Sequence, residues 1–159
     1  MNTAELNLIG LDIEQSSKLA DRLNELLANF QLYYQNLRGL HWNIKGKNFF
    51  ELHTKFEELY RDAQEKIDAI AERILTLDFV PLHTFSDYLA TAQIKEGKGV
   101  FQDTEAVELI LHSIKALIEI ERWALKTAAD LNDEGTVTLL SDFIAEQEKT
   151  VWMFSSWLK

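Results

Sequence analysis

The sequence predicts an all-α protein, a four-helix bundle in which a long crossover, itself carrying a short helix, joins the second and third helices. Three observations lead there. The 159 residues contain one proline and six glycines, so few positions can interrupt a helix. Apolar residues recur every three or four positions in four long blocks. The connections are unequal: short after the first and third blocks, and long, over residues 78–102, after the second.

The first helix is expected from Asp12 to His41, with Leu19, Leu23, Leu26, Phe30, Tyr33, Leu37 and Leu40 on one stripe. The polar turn Asn43-Ile44-Lys45-Gly46-Lys47-Asn48 ends it, with Gly46 as the stop signal and Asn48 as a cap for the next helix. The second helix runs from Phe49 to Leu77 on a stripe of Leu52, Phe56, Leu59, Ala63, Ile67, Ile70 and Ile74, and Pro81 forbids its continuation. Residues 78–102 are too many for a simple bundle turn. Within them Thr84 to Ala90 reads as a short helix, followed by a loop marked by Gly97 and Gly99.

Asp103 or Thr104 is expected to cap the third helix, whose stripe is Val107, Ile110, Ile114, Leu117, Ala124, Ala128 and Leu131. One position on that stripe is charged, Glu121, and the favoured reading is a carboxylate near the bundle edge or paired. Asp133-Glu134-Gly135 breaks the pattern. The fourth helix then carries Leu140, Phe143, Ile144, Val151, Phe154 and Leu158. Two short turns around one long crossover is the ferritin-like topology of the four-helix bundle. The length suits a single domain, 1–159.

Composition narrows the function. There is no cysteine, so thiolate ligands and nucleophiles are excluded. The first 17 residues contain no Lys or Arg, and no apolar run approaches membrane-spanning length. A cytoplasmic protein without membrane contact is the expectation. A net charge of −10 with no strong basic cluster attracts cations and repels nucleic acid.

Bundles of this topology often hold two metal ions with inward carboxylates and a Glu-x-x-His motif on two helices. The sequence contains no Glu-x-x-His. A different set attracts attention: His41, His53, Asp68 and Glu72. The first turn brings His41 beside His53, and Asp68 and Glu72 stand four apart on one face of the second helix. Imidazole with carboxylate suits Fe, Zn or Mn, iron included on ligand type. His53 and Asp68, 15 residues apart on one helix, are separated by roughly 22 Å along the axis but only ~60° around it. Metal–ligand bonds of about 2.0–2.2 Å cannot span that distance. The two halves can meet only across two chains, and a twofold interface would make two identical sites per dimer. Each feature alone has an ordinary explanation, a capping histidine or a solvated acid pair, and the geometry leaves both readings open.

His41-Trp42-Asn43, the Gly46 turn, Phe49, Leu52-His53, Asp68 and Ala71-Glu72-Arg73-Ile74 resemble the signature of the Dps family. These are mini-ferritins, the DNA-binding proteins from starved cells and their relatives that do not bind DNA. Trp152-Met153-Phe154 is similar too, and the resemblance spans nearly the whole chain. It implies a homo-oligomer, a hollow dodecamer with ferroxidase sites at its twofold interfaces. His41 and His53 would come from one subunit and Asp68 and Glu72 from its partner. Glu57 falls where family members often have an acid that supports or completes the site. The implied activity is oxidation of Fe(II), preferentially by hydrogen peroxide, with Fe(III) stored as mineral and the cell protected from oxidative damage. Trp42, beside a ligand, is an electron-donor candidate, with packing at the dimer interface preferred. Acidic pores near the last turn would admit iron, with Asp130, Asp133, Glu134 and Asp142 in that region, Asp133 having a helix cap as its alternative.

The resemblance also raises DNA binding, which the family makes through lysine-rich extensions. With neither such a segment nor a positive charge balance, weak or no DNA binding is expected. The competing reading is a nucleoid-associated structural protein that protects DNA physically, and a third is a bundle with vestigial ligands. His83 and His112 need no metal: the first is a loop or interface residue, the second faces solvent or a neighbouring subunit.

Overall fold

The computed structural model describes residues 3–159. It contains α1 (Ile13–Asn43), α2 (Phe49–Thr76), α3 (Phe85–Thr91), α4 (Asp103–Asp130) and α5 (Glu134–Leu158). Among the described residues the isolated antiparallel bridge of Leu6 with Asp12 is the one β pairing. No helix among them is long and apolar enough to cross a membrane. The fold is all-α and ferritin-like in topology, as the sequence predicts.

Local chemistry sets the ends of the helices. Asp12 caps α1 by accepting from the Gln15 amide at 2.8 Å. Thr84 caps α3 through the Asp87 amide, and Asp133 caps α5 through the Thr136 amide. Each satisfies one of the donors that a helix start leaves open. Two expected caps are different. Asn48 sits at the start of α2 but makes no capping bond. Its amide donates instead to Asp103 Oδ2 at 2.7 Å, tying the start of α2 to the start of α4. Asp103 is the first residue of α4 rather than its cap, and there its carboxylate accepts from the Thr104 amide. Its charge still opposes the positive end of the helix dipole. Gly46 adopts φ +115°, a left-handed backbone that lets the chain reverse between α1 and α2.

Two contacts reveal the direction of the helices. Asn48 with Asp103 joins the starts of α2 and α4 at one end of the bundle. Arg73 with Asp133, 2.6 Å apart, joins the end of α2 to the start of α5 at the other. The helices α2 and α4 therefore run parallel, and the crossover must travel the length of the bundle. It lies along α1, held by three asparagines of that helix. Asn24 accepts from the Leu82 amide, Asn29 from the Gln93 and Ile94 amides, and Asn36 from the Gly97 amide. A loop lying on a helix must find partners for its backbone groups, and these side chains supply them. Gly97 passes so close that a Cβ there would stand 2.8 Å from the Leu109 side chain.

The core is the expected stripe: Leu19, Leu23, Leu26, Phe30 and Leu37 of α1, Phe56, Ile70 and Ile74 of α2, Ile110, Ile114 and Leu117 of α4, and Leu140 of α5 are fully buried. Leu59 and Ile67 are only half-buried, and Leu158 is exposed.

Of the two expectations for Glu121, the bundle edge fails and a partner is found. Glu121 lies not at the bundle edge but in the centre with no exposed surface. Its partner is a neutral amide: Gln147 Nε2 donates to its carboxylate at 2.6 Å. The nearby cations are committed elsewhere, Lys66 to Asp62 and Glu146 and Arg122 to Glu148. Burial pushes the Glu121 carboxyl up to about 8, with the Gln147 hydrogen bond and the charges of Lys66 and Arg122 opposing.

Candidate metal centre

His41 lies in the last turn of α1 and His53 early in α2, and the Gly46 turn folds one onto the other. Their rings stack with centroids 3.8 Å apart and planes within 12°. Each ring is oriented by the other residue's main chain. His41 Nδ1 lies 2.6 Å from the His53 carbonyl oxygen, and His53 Nδ1 lies 2.7 Å from the His41 carbonyl oxygen. A carbonyl oxygen only accepts, so each Nδ1 carries a proton and donates. That selects the tautomer in which Nε2 holds a free lone pair on both rings. The His41 carbonyl belongs to the last turn of α1, where helix carbonyls lack intrahelical partners. The His53 ring thus doubles as a cap for that helix end.

Aromatic side chains fix the pair from both sides. Phe49 stacks on His53 with centroids 4.8 Å apart, and Tyr60 meets His41 edge-on at 5.4 Å. Tyr34 backs Tyr60 at 6.1 Å. The Tyr60 hydroxyl donates to Glu57 Oε1 at 3.3 Å, and Arg61 donates to the same oxygen at 3.2 Å. The Arg61 guanidinium holds the Glu57 carboxyl below its ordinary range, with smaller contributions from Tyr60 and His41. Glu57 therefore borders the imidazole pair as a carboxylate already engaged by two donors.

Asp68 and Glu72 lie further along α2, exposed, and neither carboxylate has a hydrogen-bond or ion-pair partner among the described residues. Within one chain no three His, Asp or Glu side chains among the described residues converge as a metal site. The structure thus brings His41 and His53 together with Glu57 beside them, and leaves Asp68 and Glu72 apart.

The other candidates are also located. Asp130, Glu134 and Asp142 are exposed. Asp133 is 2% exposed, caps α5 and pairs with Arg73, so the expectation that it lines an acidic entry fails: its charge is already neutralised. Trp42 is 57% exposed, with the Arg38 guanidinium 5.0 Å from its ring centre. His83 and His112 are exposed, and His83 Nδ1 meets the Pro81 carbonyl oxygen at 3.0 Å. Sequence reasoning named Phe49 as part of the family resemblance but missed Tyr60 and Arg61 around the histidines. Spacing carries a signal for Tyr60 as for Phe49, since they lie seven and four residues from His53 and share its face of α2.

The donor set suits a first-row divalent metal: two imidazoles with free Nε2 and locked orientation, and carboxylates without partners. Comparison with known proteins agrees with the fold. The ferritin-like domain family matches residues 20–159. The crystal structure of a DPS protein from Vibrio cholerae O1, described as a member of a broad superfamily of ferritin-like diiron-carboxylate proteins, superposes with TM-score 0.96. It is 53% identical, covering 100% of both chains. The crystal structure of a Dps protein from Bacillus brevis gives TM-score 0.89 at 36% identity, covering 92% of this chain and 98% of that one. A DNA protection during starvation protein of Porphyromonas gingivalis is 40% identical over 152 residues, 96% of each chain. On matched sequence and superposed fold together, the chain belongs to the Dps family of ferritin-like proteins.

Proposed function

We propose that the protein is a ferroxidase and iron store whose metal site forms between two copies of the chain. His41 and His53 of one subunit would provide Nε2 donors, and Asp68 and Glu72 of a twofold-related subunit would provide carboxylates. The observation that carries this reading is the reciprocal Nδ1 bonding, which leaves two parallel imidazoles with free Nε2 lone pairs. A histidine oriented through its other nitrogen is the usual arrangement of a metal ligand. The unpartnered Asp68 and Glu72, one turn apart on α2, supply the missing charge. Glu57 supports the site from beside His41.

Fe(II) is the substrate. Two Fe(II) ions give one electron each to hydrogen peroxide, which takes up two protons and leaves as two waters. Carboxylates favour the ferric product, because hard anionic oxygen ligands stabilise the higher charge. Two imidazole nitrogens would hold Fe(II) without adding further negative charge. The family resemblance supports a hollow dodecamer as the container for the ferric mineral. Exposed Asp130, Glu134 and Asp142 are candidates for drawing cations toward it. Relatives carry the name DNA protection during starvation. With a net charge of −10, protection here would come from consuming Fe(II) and peroxide together rather than from coating DNA.

Mixing the iron-free protein with Fe(II) and peroxide should give a ferric absorbance rise and iron-loaded particles. The His41→Ala, Asp68→Ala double variant should lose the rise, and an unchanged rate in it would refute the assignment.

A further inference from the structure

The Tyr60 hydroxyl is 3.3 Å from a carboxylate oxygen of Glu57, and its ring lies edge-on against His41. Packing requires the ring alone; it does not require a phenol aimed at an ionised acid. Tyr60 is half-buried, and Arg61 donates to the same Glu57 oxygen at 3.2 Å. A phenol hydrogen-bonded to a carboxylate loses an electron far more readily than a free phenol, because its proton can leave with the electron. The product is then a neutral phenoxyl, with no new positive charge beside the imidazole pair.

The other oxidisable rings nearby lack this arrangement. Arg38 places its guanidinium 5.0 Å from the centre of Trp42 and 5.3 Å from that of Tyr34. A fixed cation over a ring opposes removal of an electron from it, by the same electrostatics that make the contact favourable. Arg61 also stands near the Tyr60 hydroxyl, but its charge is paired with the Glu57 carboxylate. Arg38, by contrast, has no carboxylate partner among the described residues and only Gln35 as an acceptor. Trp42, although the immediate neighbour of His41, and Tyr34 are therefore the poorer donors.

We infer that Tyr60 is an electron donor of the site, giving one electron to hydrogen peroxide when only one Fe(II) is bound and passing its phenolic proton to Glu57. This rests on the iron-oxidation reading above. Its balance is complete. One Fe(II) and one phenol each supply one electron to one peroxide. The phenolic proton, relayed from Glu57, and one hydronium proton from bulk solvent complete two water molecules. Fe(III) and the Tyr60 phenoxyl remain, and the O–O bond is cleaved without releasing a hydroxyl radical.

The test uses the assembled protein with one Fe(II) per site and excess peroxide, freeze-quenched for electron paramagnetic resonance. The ferric absorbance is recorded in parallel. Samples are prepared with ring-deuterated tyrosine, with ring-deuterated tryptophan, and as Tyr60→Phe and Tyr88→Phe variants, each checked for native helicity. A radical signal that narrows with deuterated tyrosine, persists in Tyr88→Phe and is lost in Tyr60→Phe supports the inference. Spin-trapped hydroxyl radical should then rise in Tyr60→Phe. A signal that narrows with deuterated tryptophan, or survives in Tyr60→Phe, overturns it. So does a normal ferric rise with no radical. Absence of any ferric rise in the unsubstituted protein overturns the iron-oxidation reading first, and this inference with it.

Discussion

Replacing Glu121 with Gln should stabilise the protein, and by an amount that grows with pH. The carboxyl has no exposed surface, and its folded-state value is about 8 against an ordinary 4.5. Between those values the folded chain keeps a proton that the unfolded chain has lost. The stabilisation linked to this group is full below about 4.5 and is lost as pH rises toward 8. The slope is about 1.4 kcal/mol per pH unit, so moving from pH 6 to pH 8 should cost about 2 kcal/mol per subunit. Gln at position 121 reproduces the protonated acid, since its amide can donate to Gln147 Oε1. That buried oxygen has no hydrogen-bond partner in the ionised arrangement, and a protonated Glu121 would satisfy it as well. The assay is urea unfolding of both proteins at equal subunit concentration at the two pH values. Every other titrating group is common to both, so the difference between them isolates Glu121. A Glu121→Gln effect that is the same at pH 6 and pH 8 would refute the reasoning.

Asp133→Ala removes the cap of α5 and strands Arg73, whose guanidinium bonds Asp133 and Thr136. A loss of about 3 kcal/mol in unfolding free energy is expected, as when one partner of a buried pair is deleted. Asn29→Ala leaves the Gln93 and Ile94 amides without their acceptor. It should cost about 2 kcal/mol and speed amide hydrogen exchange at those two residues, while α2 keeps its protection. DNA binding should be undetectable by gel shift at moderate salt with iron-free protein, and a clear shift there would contradict the charge argument.

Helix spacing was legible because it depends on local rules: apolar residues at three- and four-residue intervals make a stripe whatever the tertiary partner. Asp12 and Thr84 were legible starts for the same reason. Asn48 was misread because its amide had a choice between a local donor and a remote carboxylate, and Asp103 is 55 residues away. Glu121 was misread because a charged residue on an apolar stripe is ordinarily displaced to the edge. Here Gln147, a residue with no mark in the sequence pattern, allows it to stay inside. The three asparagines on α1 were invisible for a related reason, since their partners are backbone groups of the crossover. At the centre itself, the 12-residue spacing of His41 and His53 announced their proximity. Their stacking and tautomers depend on carbonyl positions that only the folded turn defines.

The orienting partner of each histidine is a peptide oxygen, and a peptide oxygen exists whatever side chain is attached. Point mutation at residue 41 removes one ring but leaves the acceptor that aims the other, and the reverse holds at residue 53. The geometry of the imidazole pair is therefore robust to substitution around it. Its weakness is length. Inserting or deleting one residue between Asn43 and Asn48 would shift both carbonyls against both rings and misalign the two imidazoles in a single event. Across evolution, the loop should, Gly46 apart, tolerate changes of letter far better than changes of spacing.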